Sequence, residues 1–352
     1  MVIEISGDLM EGGGQILRTS VTLAAITRKK VRIKKIRANR PNPGLQRQHI
    51  TAIHAAAALT NSEVKGLQIG SRSFDYDPQT LEGGQFRLDI GTAGSISLVI
   101  QAILPIALWA EDLTLIELKG GTDVKWSPPI DYLRFVFFPT LRNLLGAEIG
   151  INLEQRGHYP RGGGRLTMEI SPLDTFDYEI QMKSAGTPRT INGLSHCVKL
   201  PSHVAQRQAK GASEYLRSKN LEIGNIDVES YPRSADPHYG PGSGIVLFVE
   251  TDKGRILGGD SIGERGKKAE RVGKEAAMNL YSAIKSQAAV DRNLGDMLIP
   301  FMALSANQSI LSVSEITSHL LTIIEIVKQF TSRELRVEGN IGEKGLVVCP
   351  KS

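Results

Sequence analysis

The stretch Gly44-Leu45-Gln46-Arg47-Gln48-His49, running on through Ala58-Leu59 to a polar break and then Glu63-Val64-Lys65-Gly66-Leu67-Gln68-Ile69, decides the fold because its pattern occurs three times. Apolar residues at helical spacing come first, a glycine or polar break follows, and a strand-like segment ends the unit. The second copy runs Ile130-Asp131-Tyr132-Leu133 through Leu144-Leu145, turns at Gly146 and continues Glu148-Ile149-Gly150-Ile151-Asn152-Leu153. The third is Ser318-His319-Leu320-Leu321 through Gln329-Phe330, then Glu334-Leu335-Arg336-Val337-Glu338. Such self-similarity marks a repeat architecture.

An earlier helix and strand precede each copy. Gly14-Gln15-Ile16-Leu17-Arg18 opens a helix ending near Ile26, followed by strand Val31 to Ile36. Gly94-Ser95-Ile96-Ser97-Leu98 opens one ending near Ala110, followed by strand Leu113 to Leu118. Met297 to Leu304 and Ser309 to Val313 form the third pair. The second helices begin near residues 44, 129 and 315, so the last unit is about 100 residues longer than the others. The surplus reads as a βαββα module: strand Gly193 to Leu200, helix His203 to Arg217, strand Ile226 to Ser230, a Pro/Gly-rich turn from Tyr231 to Gly244, strand Ile245 to Thr251 and helix Lys267 to Ile284. The expected fold is α/β (α+β), with three repeated α/β units forming one large domain (residues 1–184 and 280–352). A small α/β domain, residues 185–279, is inserted in the third unit.

The 352 residues hold 42 Lys and Arg against 37 Asp and Glu, a net charge of +5. The charge is unevenly spread. Between Glu11 and Glu63 there is no acidic residue, while Arg18, Arg28, Lys29, Lys30, Arg32, Lys34, Lys35, Arg37, Arg40 and Arg47 all fall there. A basic, acid-free block points to a polyanionic partner, nucleic acid or nucleotide. At 41% hydrophobic residues the chain is neither disordered nor fibrous. Cys197 and Cys349 lie far apart, which excludes a disulfide framework or a CxxC motif and fits a reducing, cytoplasmic setting. Met1 to Ile5 show no basic and apolar leader pattern, so no signal peptide is expected. The apolar run Ile96 to Ala110 contains Gln101 and Pro105 and falls short of the roughly 20 residues of a membrane span, so no membrane partner is expected.

Four segments carry candidate chemistry. Glu11-Gly12-Gly13-Gly14-Gln15-Ile16-Leu17-Arg18 is either a plain turn or a helix N-terminus open to an anion; Glu11, Gln15 and Arg18 share one side. In Ile36-Arg37-Ala38-Asn39-Arg40-Pro41-Asn42-Pro43-Gly44, two arginines framed by Pro and Gly offer planar forks to phosphate oxygens, whereas the lysines from Lys29 to Lys35 read as a solvated basic face. Arg156-Gly157-His158-Tyr159-Pro160-Arg161-Gly162-Gly163-Gly164 reads equally as a structural hairpin or a phosphate-binding loop. Ser314, Thr317 and Ser318 are N-cap residue types, which places His319 in the first turn of a helix, where N–H groups favour phosphate.

Together these blocks resemble the RNA 3′-terminal phosphate cyclase family along nearly the whole chain. The resemblance also rests on Gly91-Thr92-Ala93-Gly94-Ser95, Gly120-Gly121-Thr122-Asp123, Arg47-Gln48-His49, and Asp296 with Pro300-Phe301-Met302-Ala303-Leu304. It implies ATP-dependent conversion of an RNA 3′-phosphate to a 2′,3′-cyclic phosphodiester through a histidine-linked AMP and an RNA(3′)pp(5′)A intermediate. It places the nucleophile at His319 and contacts to ATP and the RNA end at Gln15, Arg18, Arg37, Arg40, Gln48, Gln101, Pro128, Asn293 and Asp296. Glu11 is the implied contact for Mg2+ or Mn2+. Neutral imidazole suits the role, being a nucleophile near pH 7 without a separate base. Where the family pattern carries an aromatic residue and a Gln around Leu-Ala-Asp, this chain has Asn293-Leu294-Gly295-Asp296-Met297, which removes aromatic stacking at 293. The competing readings are a non-catalytic cyclase-like ribosome biogenesis factor and an enolpyruvyl-transferase-like enzyme. Lys199, Arg207, Lys210, Arg217 and Lys219 around one insert helix are an RNA-facing side or a solvated one.

Overall fold

The computed structural model describes residues 2–10, 12–91 and 93–351. The first unit is β1 (Val2–Ser6), α1 (Gly14–Thr27), β2 (Lys30–Lys34), α2 (Arg47–Leu59), β3 (Glu63–Lys65) and β4 (Phe74–Asp77). Its sheet runs β1-β2-β4-β3, with β1 and β2 parallel and β4 antiparallel to both neighbours. The second unit is β5 (Gly84–Asp89), α3 (Ile96–Leu108), β6 (Thr114–Gly120), α4 (Ile130–Tyr132) with a π-helical turn (Leu133–Phe137) leading into α5 (Phe138–Leu145), then β7 (Ile149–Gln155) and β8 (Gly164–Ile170). Its order, β5-β6-β8-β7, repeats the first.

The third unit starts with β9 (Gln181–Met182) and is then interrupted by β10 (Pro188–Val198), α6 (His203–Arg217), β11 (Ile223–Ser230), β12 (Gly242–Thr251), β13 (Ile256–Ile262) and α7 (Ala269–Ser286). It resumes with α8 (Arg292–Leu304), β14 (Ser309–Val313), α9 (Ser318–Thr331), β15 (Arg336–Glu338) and β16 (Gly345–Cys349). The sheet β9-β14-β16-β15 has the same order and the same parallel first pair as the other two. Each unit is thus a parallel βαβ crossover followed by a helix and an antiparallel hairpin, a longer unit than the helix–strand pattern in the sequence. One apolar cluster joins residues of all three units, including Ile16, Ile100, Phe137, Phe301 and Ile326.

The interrupting segment makes its own sheet, β11-β10-β12-β13, with α6 and α7 packed together on it. Its apolar residues, from Ala185 to Ala283, form a second cluster. Strand β13 goes beyond the βαββα order read from the sequence. Two central glycines weaken its strand signal. Gly259 meets the helix α7 so closely that a Cβ there would lie 2.6 Å from the Ala276 carbonyl oxygen, so the residue that hides the strand is also what lets the helix pack.

Among the described residues no helix is long and apolar enough to cross a membrane. The basic block of the first unit is not an open field. Lys30 pairs with Asp77 at 2.7 Å, Arg32 forks onto Asp75 at 2.7 Å, Lys34 reaches Glu4 at 2.8 Å and Lys35 reaches Asp8 at 3.5 Å. Lys29 donates to the Phe330 carbonyl at 2.6 Å. The acids absent from the local sequence arrive on the neighbouring strands β1 and β4 and the turn after β1.

Candidate functional site

Helix α9 packs on α1, and so brings the third unit against the first. Thr317 caps α9, its hydroxyl accepting from the Leu320 N–H at 2.9 Å and donating to Asp296 Oδ1 at 2.7 Å. His319 therefore sits in the first turn, exposed, as the N-cap residues predict. Its carbonyl accepts from Gln15 Nε2 at 2.8 Å, so α1 and α9 are tied at this histidine.

A cavity of about 470 Å³ opens there, where α1, α3, α8 and α9 meet the loop Lys125 to Pro128 and the insert strand β13. Gln15, Arg18, Gln101, Pro128, Asn293, Asp296 and His319 all line it, brought together from three units and from sequence positions 15 to 319. Pro105 and Pro300, each inside a first helix of its unit, also face it. Arg37, Arg40 and Gln48 are not on that wall. Arg37, half-buried with a left-handed φ of 51°, follows β2. Arg40 reaches within 3.8 Å of where a Cβ on Gly13 would stand, so it borders the glycine loop that leads into α1. Gln48 is half-buried on α2. Glu11, the metal contact implied by the resemblance, lies outside the described residues.

The glycine loop has a packing reason as well. A Cβ on Gly14 would approach the His49 ring carbon Cδ2 to 2.8 Å and Arg18 Nη1 to 3.3 Å. His49 is buried, its Nδ1 accepting from the Gln46 N–H at 3.1 Å in the capping box of α2. Burial, then the charges of Arg18 and Arg37, push its pKa down to about 3, so the ring is neutral at physiological pH. Burial also lowers the Arg18 guanidinium to about 10, leaving it cationic at the cavity.

The opposite wall is acidic. Burial raises Asp296 to about 7, against its hydrogen bond from Thr317. Asp260 is raised to about 7 by burial and then by the neighbouring Asp291. Asp291 caps α8, accepting from the Asn293 N–H at 2.9 Å, and also takes hydrogen bonds from Tyr132 Oη at 2.6 Å and the Gly258 N–H at 2.9 Å. The sequence reading passed over Asp260, which comes from the unrecognised strand, and Trp126, 95% exposed at the cavity wall. Lys125 bridges to Glu264 at 2.8 Å, closing the second unit onto the insert beside the cavity.

The loop Arg156 to Gly164 resolves as structural on its inner side. Arg156 is 1% exposed and bound to Glu229 through Nε at 2.8 Å and Nη2 at 2.7 Å, to Asp131 at 2.7 Å and to Asp123 at 3.4 Å. With its guanidinium held by three carboxylates, it is not available to phosphate. Three of the insert's basic residues are likewise engaged: Arg207 forks onto Glu270 at 2.6 and 2.9 Å, Lys219 lies 5.4 Å from the rings of Tyr215 and Tyr281, and Lys199 donates to the Asp236 carbonyl at 2.6 Å.

The geometry has a matching lineage. The profile described as RNA 3′-terminal phosphate cyclase matches residues 9–337. The chain is similar to the RNA 3′-terminal phosphate cyclase of Staphylothermus marinus, 49% identical over 347 residues, covering 98% of this chain and 97% of that one. The Ignicoccus hospitalis protein of that name is 50% identical over 337 residues, with 96% and 94% covered. That of Pyrococcus furiosus is 47% identical over 346 residues, with 98% of each covered. The chain belongs to the RNA 3′-terminal phosphate cyclase family.

Proposed function

We propose that this chain is an ATP-dependent RNA 3′-terminal phosphate cyclase that works through a covalent adduct of AMP on His319. Family membership carries the coarse statement, an enzyme of the ligase class acting on RNA 3′-ends. The observation that supports the finer one is the position of His319: first turn of α9, exposed, on the cavity shared with Gln15, Arg18, Asn293 and Asp296.

A ring nitrogen of His319 attacks the α-phosphorus of ATP; a P–N bond forms as the bond to the β-phosphate breaks, and pyrophosphate leaves. An oxygen of the RNA 3′-phosphate then attacks the same phosphorus, freeing the histidine and giving RNA(3′)pp(5′)A. The neighbouring 2′-hydroxyl attacks the 3′-phosphorus, closing the 2′,3′-cyclic phosphate and expelling AMP. Such transfers need in-line positioning and charge stabilisation more than acid–base work. Arg18 at the wall, with Arg40 along the glycine loop and Arg37 after β2, neutralises triphosphate or RNA-end oxygens. Gln15, held to the His319 carbonyl, fixes the turn that carries the nucleophile. Gln101, Pro128, Asn293 and Asp296 bound the nucleoside, and Gln48 on α2 is a further polar contact to ATP or the RNA end.

Mg2+ or Mn2+ prefers oxygen donors, and the cavity offers them in Asp260 and Asp296, whose burial a bound cation would compensate. Glu11 with these carboxylates would hold the ion, which supplies charge neutralisation for the departing pyrophosphate. We further read residues 1–184 with 280–352 as the catalytic domain and 185–279 as an inserted domain that lends Asp260 to the cavity, its C-terminal edge moved to the end of α7 at Ser286, in a cytoplasmic protein.

Incubation with [α-32P]ATP and Mg2+ is expected to label the chain with an acid-labile, alkali-stable adduct absent in His319→Ala. An undiminished adduct in that variant would sink the assignment. No cyclisation of 3′-phosphorylated oligonucleotides by the wild-type chain would favour the ribosome biogenesis reading instead.

A further inference from the structure

Away from the cavity, Asp123 after β6, His158 in the β7–β8 hairpin and His196 on β10 converge, each offering one ligand atom, with these atoms all within 4.8 Å of one another. They are 1%, 5% and 1% exposed. We propose that these three residues form a structural site for one divalent transition-metal ion of the Zn2+ type, bolting the insert's sheet to the second unit.

Asp123 Oδ1, His158 Nε2 and both ring nitrogens of His196 lack a hydrogen-bond partner among the described residues. Each unpaired buried polar atom costs about 1–3 kcal/mol, so three residues with such atoms facing one another is an arrangement a packed core does not keep without compensation. Protonating His196 does not supply it. Its Nε2 lies 3.9 Å from Asp123 Oδ2, too long for a hydrogen bond.

Charge points the same way. The cluster around Arg156 contains the buried carboxylates of Asp123 and Asp131 and the partly buried one of Glu229, with Arg134 as a second cation on Asp131. Asp123 Oδ2 takes the Thr122 hydroxyl at 2.6 Å and faces Arg156 at 3.4 Å, which leaves Oδ1 as the free donor. Three carboxylates against two guanidiniums leave one net negative charge, which a divalent cation more than offsets. Two imidazoles and one carboxylate are a borderline donor set, suited to Zn2+ and not to Mg2+, and a tetrahedral site closes with a water as fourth ligand. At metal–ligand bonds of about 2.0–2.2 Å, donor atoms stand roughly 3.4 Å apart, so a side-chain shift of about 1 Å suffices.

The test uses the full chain, loaded with Zn2+ and passed over a chelating resin. One Zn2+ per chain is expected by elemental analysis, undiminished in His319→Ala and reduced at least tenfold in the His158→Gln/His196→Gln double variant. Wild-type protein that retains no Zn2+ would overturn the proposal and assign the gap to water. Stoichiometric Zn2+ persisting in the double variant, or lost in His319→Ala, would also overturn it. The Co2+-loaded wild-type chain provides a readout independent of variant folding: intense visible ligand-field bands of a four-coordinate N/O site are expected, and a weak six-coordinate spectrum refutes the site.

Discussion

Replacing Arg156 by Met removes one guanidinium and leaves Asp123 and Asp131, whose side chains have 0% exposure, without their central cation. The geometry sets the size of the effect. Nε and Nη2 hold Glu229 at 2.8 and 2.7 Å, and Nη2 holds Asp131 at 2.7 Å, so three short charge-assisted contacts vanish while two carboxylates stay dry. Breaking a buried pair from one side costs about 3–5 kcal/mol, because the stranded charge keeps its desolvation penalty. For a chain of 352 residues that corresponds to a fall in Tm of roughly 4–7 °C. Denaturant unfolding at pH 7 is the assay. The stranded carboxylates take up protons more readily in the folded variant than in its unfolded chain, so the deficit against wild type narrows as pH falls. Asp131→Asn added to Arg156→Met is expected to recover about 1–3 kcal/mol by double-mutant cycle. A loss below about 1 kcal/mol in the single variant, or strict additivity in the double, would refute the view of Arg156 as a clamp on buried charge.

Thr317→Val removes the cap of α9 and the hydrogen bond to Asp296; a loss of about 1 kcal/mol in thermal unfolding and weaker labelling by [α-32P]ATP are expected, both restored by Thr317→Ser. Gly14→Ala drives a methyl group into the His49 ring, and calorimetry is expected to register about 1–3 kcal/mol of destabilisation, partly relieved when His49→Ala is added. Asp296, raised to about 7, keeps a proton in the folded chain that the unfolded chain releases near pH 4, so stability falls as pH rises between those values. In Asp296→Asn the slope of stability against pH over that window is expected to flatten when urea unfolding is followed from pH 4 to 8.

Much of the candidate site was legible because its residues lie on short motifs that carry the family resemblance. The N-cap residue types before His319 place it in a first turn, and they do so by backbone chemistry confined to a few neighbouring residues. Asp296 and Asn293 sit one helical turn apart on α8 and share the cavity wall for the same reason. Asp260 was not legible, since its strand carries glycines chosen for the approach of α7 and so lacks the alternating pattern that marks a strand. The loop from Arg156 to Gly164 left its two readings open, because burial of an arginine depends on which carboxylates meet it, and these come from residues 123, 131 and 229.

The α/β class, its recurring helix–strand pattern and the helix turn that carries His319 were readable from the sequence, because all of them follow from local periodicity and capping. Only the tertiary structure decided what the charges do. Four cations of the acid-free basic block, Lys30, Arg32, Lys34 and Lys35, turn out to be paired with Asp77, Asp75, Glu4 and Asp8, whereas Arg18 is left facing the cavity. Charge pairing depends on strand order and register, and these bring together residues that the chain keeps dozens of positions apart.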